Sequence, residues 1–358
     1  MPSAASLSAS RSHRLKRALV YGITLFVLAA AASLTRNTAS AAQTVTLTGA
    51  GATFPQPIYE KWFAEYNRLH PEVRINYQGI GSGGGIRAIQ GGQVDFGASD
   101  AFLSDAELRS MPAKILHIPT VAGAVVVTYN LPGNPKLQLT PDILVDIFLG
   151  KITRWNDPRL AAINTGVKLP SLPISVVHRS DGSGTTHMFT TYLSAVSKEW
   201  ATKVGADKSV AWPVEAAAGK GNPGVAAYVR QLPGAIGYVE LAYAKQNNLP
   251  HAALRNAAGH FVTASVETIK AAMATANMPA DFRATIVNAP GAGAYPIAGF
   301  TWLLIYEKQA DPVKGKALVD VIEWALKNGD AAAESLDYVP LPDSLQEKVL
   351  RALDSVQF

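Results

Sequence analysis

Four glycine-rich segments that also carry hydroxyl or other polar side chains constrain the fold of this 358-residue chain, because each directly follows a predicted β-strand. They are residues 49–55 (GAGATFP), 79–85 (GIGSGGG), 97–100 (GASD) and 178–186 (HRSDGSGTT). The first, second and fourth lead directly into a predicted helix. Strands that alternate with helices form mostly parallel sheets covered on both faces, and ligands bind at the carboxyl ends of such strands. The pattern therefore predicts an α/β fold in which these segments surround a ligand.

The hydrophobic periodicity between the segments supports this fold class. It predicts strands at 44–48, 73–78, 94–98, 115–129, 174–178 and 300–306, and helices at 56–68, 84–90, 184–196 and from 311–312 to about 329, with another helix opening at 140–141. In the first helix, Ile58, Trp62 and Tyr66 recur every fourth residue and mark a buried face. The length favours two globular lobes over one.

The N-terminus has the features of a cleavable secretory signal peptide over residues 1–42. Residues 1–17 contain four basic residues and no acidic one, residues 18–34 are mostly apolar, and residues 39–42 are small. The alternative is a single membrane anchor, but the apolar run is shorter than the ~20 residues that a membrane span needs. The chain has no cysteine to carry a lipid. We therefore expect a protein that is exported and free in solution.

The charge of the whole chain comes from this leader. The full sequence has 32 basic and 27 acidic residues, and residues 1–42 hold five of the basic residues and none of the acidic ones. The remainder therefore has 32 − 5 = 27 basic and 27 acidic residues, a net charge of zero. Nucleic-acid binding, which uses a basic surface, loses its main support.

The glycine-rich segments are suited to binding an anion. A helix N-terminus exposes unpaired N–H donors and a positive partial charge. Three such ends with Ser or Thr hydroxyls, together with Arg179, would surround a tetrahedral oxyanion with donors. Each segment alone could be an ordinary turn, Asp100 could cap a helix, and Arg179 with Asp181 could form a surface ion pair of little energetic value. The occurrence of all four at equivalent positions in one chain favours the binding site.

A dinucleotide site is a further alternative, because Gly79, Gly81 and Gly84 fit G-x-G-x-x-G and Asp100 follows about 20 residues later. We reject this alternative because the helix at 84–90 is too short for the ~30-residue nucleotide-binding unit.

A serine-type phosphatase or hydrolase is the alternative from another functional class, since His178 and His187 flank Ser183 in the sequence. Ser183 does not lie in the G-x-S-x-G turn that such enzymes use. The seven histidines also lack metal-ligand spacing. We therefore expect no catalysis, no metal and no cofactor.

Residues 49–55, 77–82, 94–100 and 181–185 resemble the corresponding motifs of the phosphate-binding proteins of bacterial ABC-type phosphate transporters. Residues 232–240 (LPGAIGYVE) and 336–338 (LDY) resemble them as well. The similarity covers nearly all of the chain after the leader, in the family's order and spacing. It implies a two-lobed periplasmic binding protein that closes around its ligand. Lobe one would comprise 43–128 and 299–358, and lobe two 129–298.

The resemblance also implies a set of ligand contacts. They are Thr53, Phe54 through its backbone N–H, Ser82, Asp100 as a hydrogen-bond acceptor, Arg179, Ser183, Gly184 through its backbone, and Thr185. Asp181 would pair with Arg179. Residues 83–85 are all glycine where relatives can have a second serine, which affects none of these contacts.

The implied function is binding of inorganic phosphate in the periplasm and its delivery to the permease of an ABC transporter, by a monomer that is not an enzyme. Phosphate at neutral pH still carries a proton that it can donate to Asp100, whereas sulfate has none and meets like-charge repulsion. Two alternatives stay open within this class: a binding protein for another tetrahedral oxyanion, which Asp100 argues against, and a phosphate-scavenging or adhesive surface protein without a transporter.

Overall fold

A computed structural model describes residues 44–358, and residues 45–358 form one compact unit. The predicted signal peptide at 1–42 lies outside the described residues. Among residues 44–358, no helix combines the length and the hydrophobicity that crossing a membrane requires.

The described part of the chain alternates strands and helices. The strands are β1 Val45–Gly51, β2 Val73–Gly79, β3 Phe96–Ser99, β4 Ile115–Tyr129, β5 Gln138–Leu139, β6 Ser175–Arg179, β7 Ala217–Gly219, β8 Ala235–Glu240, β9 Ala253–Arg255, β10 Phe261–Val262, β11 Ala298–Tyr306 and β12 Val339–Pro340. The helices are α1 Gln56–Leu69, α2 Ser82–Gln90, α3 Asp105–Ser110, α4 Pro141–Phe148, α5 Pro158–Ile163, α6 Gly184–Val196, α7 Lys198–Lys203, α8 Gly221–Gln231, α9 Leu241–Gln246, α10 Val266–Met273, α11 Pro312–Asn328, α12 Asp330–Glu334 and α13 Asp343–Leu353. Every strand and helix predicted from the sequence is present.

The predicted boundaries differ from the observed ones by a few residues. Helix α2, for example, begins at Ser82 rather than at residue 84, because Gly81 supplies the N-cap with φ +81°, a conformation that favours glycine. The predicted buried face of α1 is confirmed, since Ile58, Trp62 and Tyr66 are all buried. These local features follow from the sequence pattern alone.

The main sheet has nine strands in the order β2-β1-β3-β11-β4-β8-β6-β7, with β12 also paired to β4. The outer pairs β1–β2, β1–β3, β6–β7 and β6–β8 are parallel. The central pairs β3–β11, β11–β4, β4–β12 and β4–β8 are antiparallel. A mixed sheet therefore replaces the mostly parallel one that we predicted. The cause is that β11, from far along the chain, inserts between β3 and β4 in the opposite direction.

Strand β4 connects the two parallel groups of strands. Its residues 115–124 pair with β11, and its residues 125–129 pair with β8. Nearly all of its 15 residues are buried, as expected for a strand covered on both faces. A single rigid strand thus holds the β1–β3 group and the β6–β8 group, and the glycine-rich segments that follow their strands lie near each other.

Candidate anion-binding site

The structure brings together the side chains that the sequence singled out. Each of the following is at most 5% exposed: Thr53, Ser82, Asp100, Arg179, Ser183 and Thr185. They come from the ends of β1, β3 and β6 and from the first turns of α2 and α6. Phe54 and Gly184 are buried beside them. The predicted clustering of the segments is therefore present in the fold.

Arg179 is held by a partly buried carboxylate rather than by solvent. Its Nε and Nη2 donate to the two oxygens of Asp181 at 2.9 and 2.6 Å, and its Nη1 lies 3.2 Å from Thr185 Oγ1. Asp181 also accepts from the backbone N–H of Gly221 at 3.0 Å. Burial alone would raise the pKa of Asp181, but the hydrogen bonds and charge of Arg179 outweigh burial and lower it. The surface ion-pair alternative is wrong, because the Arg179 side chain is only 1% exposed.

Ser82 joins two of the helix N-termini. Its Oγ accepts from the backbone N–H of Gly184 at 3.0 Å and from that of Asp100 at 3.2 Å. A Cβ atom at position 184 would lie 2.6 Å from both Ser82 Oγ and the Cβ of Asp100. Glycine is therefore required at 184 for the start of α6 to approach this closely.

Asp100 is a buried acceptor and not a helix cap. Its Oδ1 accepts from Thr301 Oγ1 at 2.9 Å, whereas the next helix, α3, is capped by Ser104. Burial raises the pKa of Asp100 to about 7, although the hydrogen bond from Thr301 and the charge of Arg179 act in the opposite direction. A carboxyl with this pKa exists in both protonation states near neutral pH.

The structure adds two residues that the sequence reasoning missed, Thr301 and Asn222. Asn222 is fully buried in the first turn of α8, and its side-chain and backbone nitrogens both lie 3.0 Å from Thr53 Oγ1. The sequence pattern that could have identified Asn222 is at residues 219–224 (GKGNPG), a fifth glycine-rich turn between a strand and a helix. It was missed because β7, the strand before it, has only three residues.

The residues that suggested a serine hydrolase, Ser183, His178 and His187, do not form a catalytic pair in the described part of the chain. Ser183 Oγ accepts from the backbone N–H of Thr186 and so caps α6. His178 bonds through Nδ1 to the carbonyl of Arg179 and stacks on Trp212. Between residues 44 and 358 neither the His178 nor the His187 ring hydrogen-bonds to the Ser183 hydroxyl, and no group of three potential metal ligands occurs.

A second buried acid, Glu240, lies next to the site. Tyr338 Oη is 2.6 Å from the carbonyl oxygen of Phe54 and 3.1 Å from Glu240 Oε2. The carbonyl can only accept, so the tyrosine hydrogen goes to Phe54. Glu240 Oε2 also accepts from the backbone N–H of Ala242 at 2.8 Å, and a protonated carboxyl would in addition donate to Tyr338. Burial raises the pKa of Glu240 well above its ordinary value, although the hydrogen bonds from Ala242 and Tyr338 act in the opposite direction, and the protonated form is therefore favoured.

The protonated state of Glu240 predicts how the free energy of unfolding depends on pH. The folded chain holds a proton that the unfolded chain loses above about pH 4.5, so the free energy of unfolding should fall as pH rises above that value, by at most about 1.4 kcal/mol per pH unit from this group. Glu240→Gln should reduce this slope, with Asp100 contributing what remains. Urea unfolding of the ligand-free protein at pH 5, 6.5 and 8 measures it. The exposed Glu65→Gln is the control, and an unchanged slope in Glu240→Gln would contradict the assignment.

Comparison with known proteins places these features in a family. Residues 37–328 match the model of the PBP superfamily domain. The chain is 46% identical to the phosphate-binding protein PstS of Xylella fastidiosa over 88% of this chain and 87% of that protein. It is also 46% identical to PstS of Pasteurella multocida, over 86% and 89% of the two chains.

Solved structures agree in fold. A high-affinity periplasmic phosphate-binding protein, PfluDING, solved with bound phosphate, superposes with a TM-score of 0.69 at 26% identity, over 86% of this chain and 93% of that one. The expected two-lobed α/β binding-protein fold is thereby confirmed.

Proposed function

The chain belongs to the PstS family of phosphate-binding proteins, and we propose that it binds inorganic phosphate in its buried donor site and delivers it to an ABC-type import permease. The relatives are named as binding proteins rather than enzymes. We extend this to the present chain as a protein that binds phosphate without turnover.

One observation carries the proposal: the site combines many hydrogen-bond donors with a single buried acceptor, Asp100. The proposed phosphate contacts are the residues that the resemblance implied: Thr53, Phe54, Ser82, Asp100, Arg179, Ser183, Gly184 and Thr185. Their burial and mutual hydrogen bonds support this assignment. Monohydrogen phosphate offers acceptor oxygens and one O–H, which matches donors surrounding one acceptor. Sulfate has no hydrogen for Asp100, so this arrangement favours phosphate.

Local dipoles, rather than net charge, carry the attraction. Buried Arg179 and partly buried Asp181 form an ion pair whose formal charges cancel. Four helices, α1, α2, α6 and α8, begin next to the site residues, and a helix N-terminus provides unpaired N–H donors and a positive partial charge. The zero net charge of residues 43–358 supports this view, and we propose that the protein binds no nucleic acid.

We propose the lobe boundaries as predicted, 43–128 with 299–358 and then 129–298. The change of partner along β4, from β11 to β8 after residue 124, supports a boundary near this point. Thr53 of lobe one and Asn222 of lobe two are hydrogen-bonded, and the site is buried. Phosphate would therefore enter only when the lobes separate.

We further propose that residues 1–42 are removed on export and that the protein acts as a periplasmic monomer. The basic, apolar and small-residue segments of the leader support the first point. Mass spectrometry of the protein recovered from the periplasm should show a loss of about 42 residues.

Calorimetry on the purified protein, freed of bound phosphate, tests the function. We expect one phosphate per chain, no detectable sulfate binding at the same concentrations, and a phosphate ester left unhydrolysed. Thermal unfolding should shift upward with phosphate, by RT ln(1 + [L]/Kd) in free energy. Equal binding of sulfate would favour a general oxyanion carrier, and turnover of the ester would favour the hydrolase.

A further inference from the structure

We propose that Asn222 is a positioning residue that commits the hydroxyls of Thr53 and Thr185 to act as donors to the bound anion. The inference rests on the proposed function and extends it to a residue outside the predicted contact set. A hydroxyl has one hydrogen and two lone pairs, so its role depends on what its neighbours already donate.

Both lone pairs of the Thr53 hydroxyl are occupied by Asn222. The backbone N–H of Asn222 donates to Thr53 Oγ1 at 3.0 Å, and its side-chain Nδ2 donates at 3.0 Å. The backbone N–H belongs to the first turn of α8, where helical N–H groups have no partner within the helix. With both lone pairs used, the Thr53 hydroxyl can only donate its hydrogen. We propose that the bound anion is the acceptor of this hydrogen.

Both lone pairs of the Thr185 hydroxyl are occupied as well. It receives Arg179 Nη1 and Asn222 Nδ2, each at 3.2 Å. The two hydrogens of the Asn222 amide are thus divided between Thr53 and Thr185. Thr53 belongs to proposed lobe one, whereas Thr185 and Asn222 belong to proposed lobe two. The arrangement is therefore complete only when the lobes are closed.

The orientation of the Asn222 amide is fixed by a neighbour that can only donate. The backbone N–H of Glu240 lies 3.0 Å from Asn222 Oδ1. Exchanging the oxygen and nitrogen of the amide would place two N–H groups against each other and leave Thr53 and Thr185 without these donors. Asn222 is fully buried, so water cannot substitute for the lost partners.

Ser82 shows the same principle with backbone donors only, since its Oγ accepts from Asp100 N and Gly184 N. Side-chain substitution cannot remove those donors, whereas Asn222 can be changed. Three hydroxyls then donate to the ligand, and Asp100 remains as the acceptor. If the threonine hydroxyls were free, each could also accept, and the site would distinguish less sharply between a ligand with one hydrogen and a ligand with none or two.

A mutant cycle with phosphate as the probe tests the proposal. Asn222→Ala should lower phosphate affinity about 10–100-fold, because each of the two hydroxyls loses one of the two donors that fix its direction. The same substitution in a Thr53→Val/Thr185→Val background should change affinity less than about threefold, since no hydroxyls remain to be directed. The matched control is Asn164→Ala, a buried asparagine bonded to Gln138 and Leu160 away from the site, which should not alter phosphate affinity.

The outcomes are distinguishable. An equal loss in both backgrounds means that Asn222 acts only through packing, and no loss in the native background also overturns the proposal. If Asn222→Ala does not fold, Asn222→Ser takes its place in the same cycle, because serine keeps a polar side chain but lacks the two amide hydrogens. If the unaltered protein binds no phosphate, the proposed function itself fails, irrespective of Asn222.

Discussion

The Asp100→Asn variant is expected to lose most of its preference for phosphate over sulfate. A site built to pair a ligand hydrogen can reject an analogue without one by about 10⁴-fold, and Asp100 is the acceptor that creates this difference. An asparagine can turn either its oxygen or its NH₂ group towards the ligand. It therefore accepts the phosphate hydrogen with one orientation and donates to a sulfate oxygen with the other. We expect the two affinities to come within about tenfold of each other, mainly because sulfate binding increases.

Competition calorimetry of phosphate against sulfate measures this ratio directly. Glu240→Gln is the matched control, because it changes an equally buried acid that is outside the proposed contact set. The control should keep the native ratio. An Asp100→Asn protein that still excludes sulfate would mean that shape or the donor arrangement, rather than the carboxylate, discriminates between the anions.

The pKa of Asp100 provides a second readout of the same prediction. Because burial raises this pKa to about 7, lowering the pH from 8 to 6 protonates the carboxyl of the ligand-free protein. The protonated acid can donate to sulfate, so sulfate should compete better at pH 6 than at pH 8. In Asp100→Asn this dependence should be weaker, since position 100 no longer titrates.

The sequence predicted the parts of this site that depend on local pattern. A glycine turn between a strand and a helix is encoded within about ten residues, so Thr53, Ser82 and Ser183 could be located without a structure. Asp100 and Arg179 adjoin the ends of their strands and were located in the same way. Each of these residues lies at most 5% exposed in the assembled site.

The missed residues depend on distant pairing. Thr301 reaches Asp100 only because β11 inserts next to β3, with Trp302 opposite Ser99. That antiparallel insertion joins residues about 200 apart in the sequence, and the alternation of strands and helices carries no information about it. The prediction of a mostly parallel sheet was wrong for the same reason.

The motif at 232–240 and the one at 336–338 illustrate an intermediate case. They were visible as resemblances, but no local pattern explained them. In the structure Tyr338 Oη contacts both Glu240 and the carbonyl of Phe54, whose own N–H is a proposed phosphate donor. Their role is to support the first glycine-rich segment through the carbonyl of Phe54. This role is visible only in the three-dimensional contacts.

Arg179→Ala is expected to have the largest effect on affinity, a loss of about 10³-fold for phosphate. Removing one partner of a buried ion pair leaves the other charge uncompensated, at roughly 3–5 kcal/mol. Here that charge is Asp181, and an unpaired carboxylate close to an anion site repels the ligand in addition to the loss of the arginine donors. Arg179→Lys should bind between the native protein and Arg179→Ala, because an ammonium keeps the charge but cannot bridge Asp181 and Thr185 with a planar group.

The repulsion can be separated from the loss of donors by removing both charges. The Arg179→Ala/Asp181→Ala protein should bind phosphate more tightly than Arg179→Ala alone, since the unpaired carboxylate is gone and the helix N-termini remain. Calorimetry at two salt concentrations gives both affinities, with urea unfolding to confirm that each variant is folded. If the double variant binds no better than the single one, Asp181 does not repel the ligand and Arg179 acts through its own donors. If Arg179→Ala itself binds within tenfold of the native protein, the N–H and O–H dipoles alone account for the affinity, because the Arg179–Asp181 pair then contributes almost nothing to it.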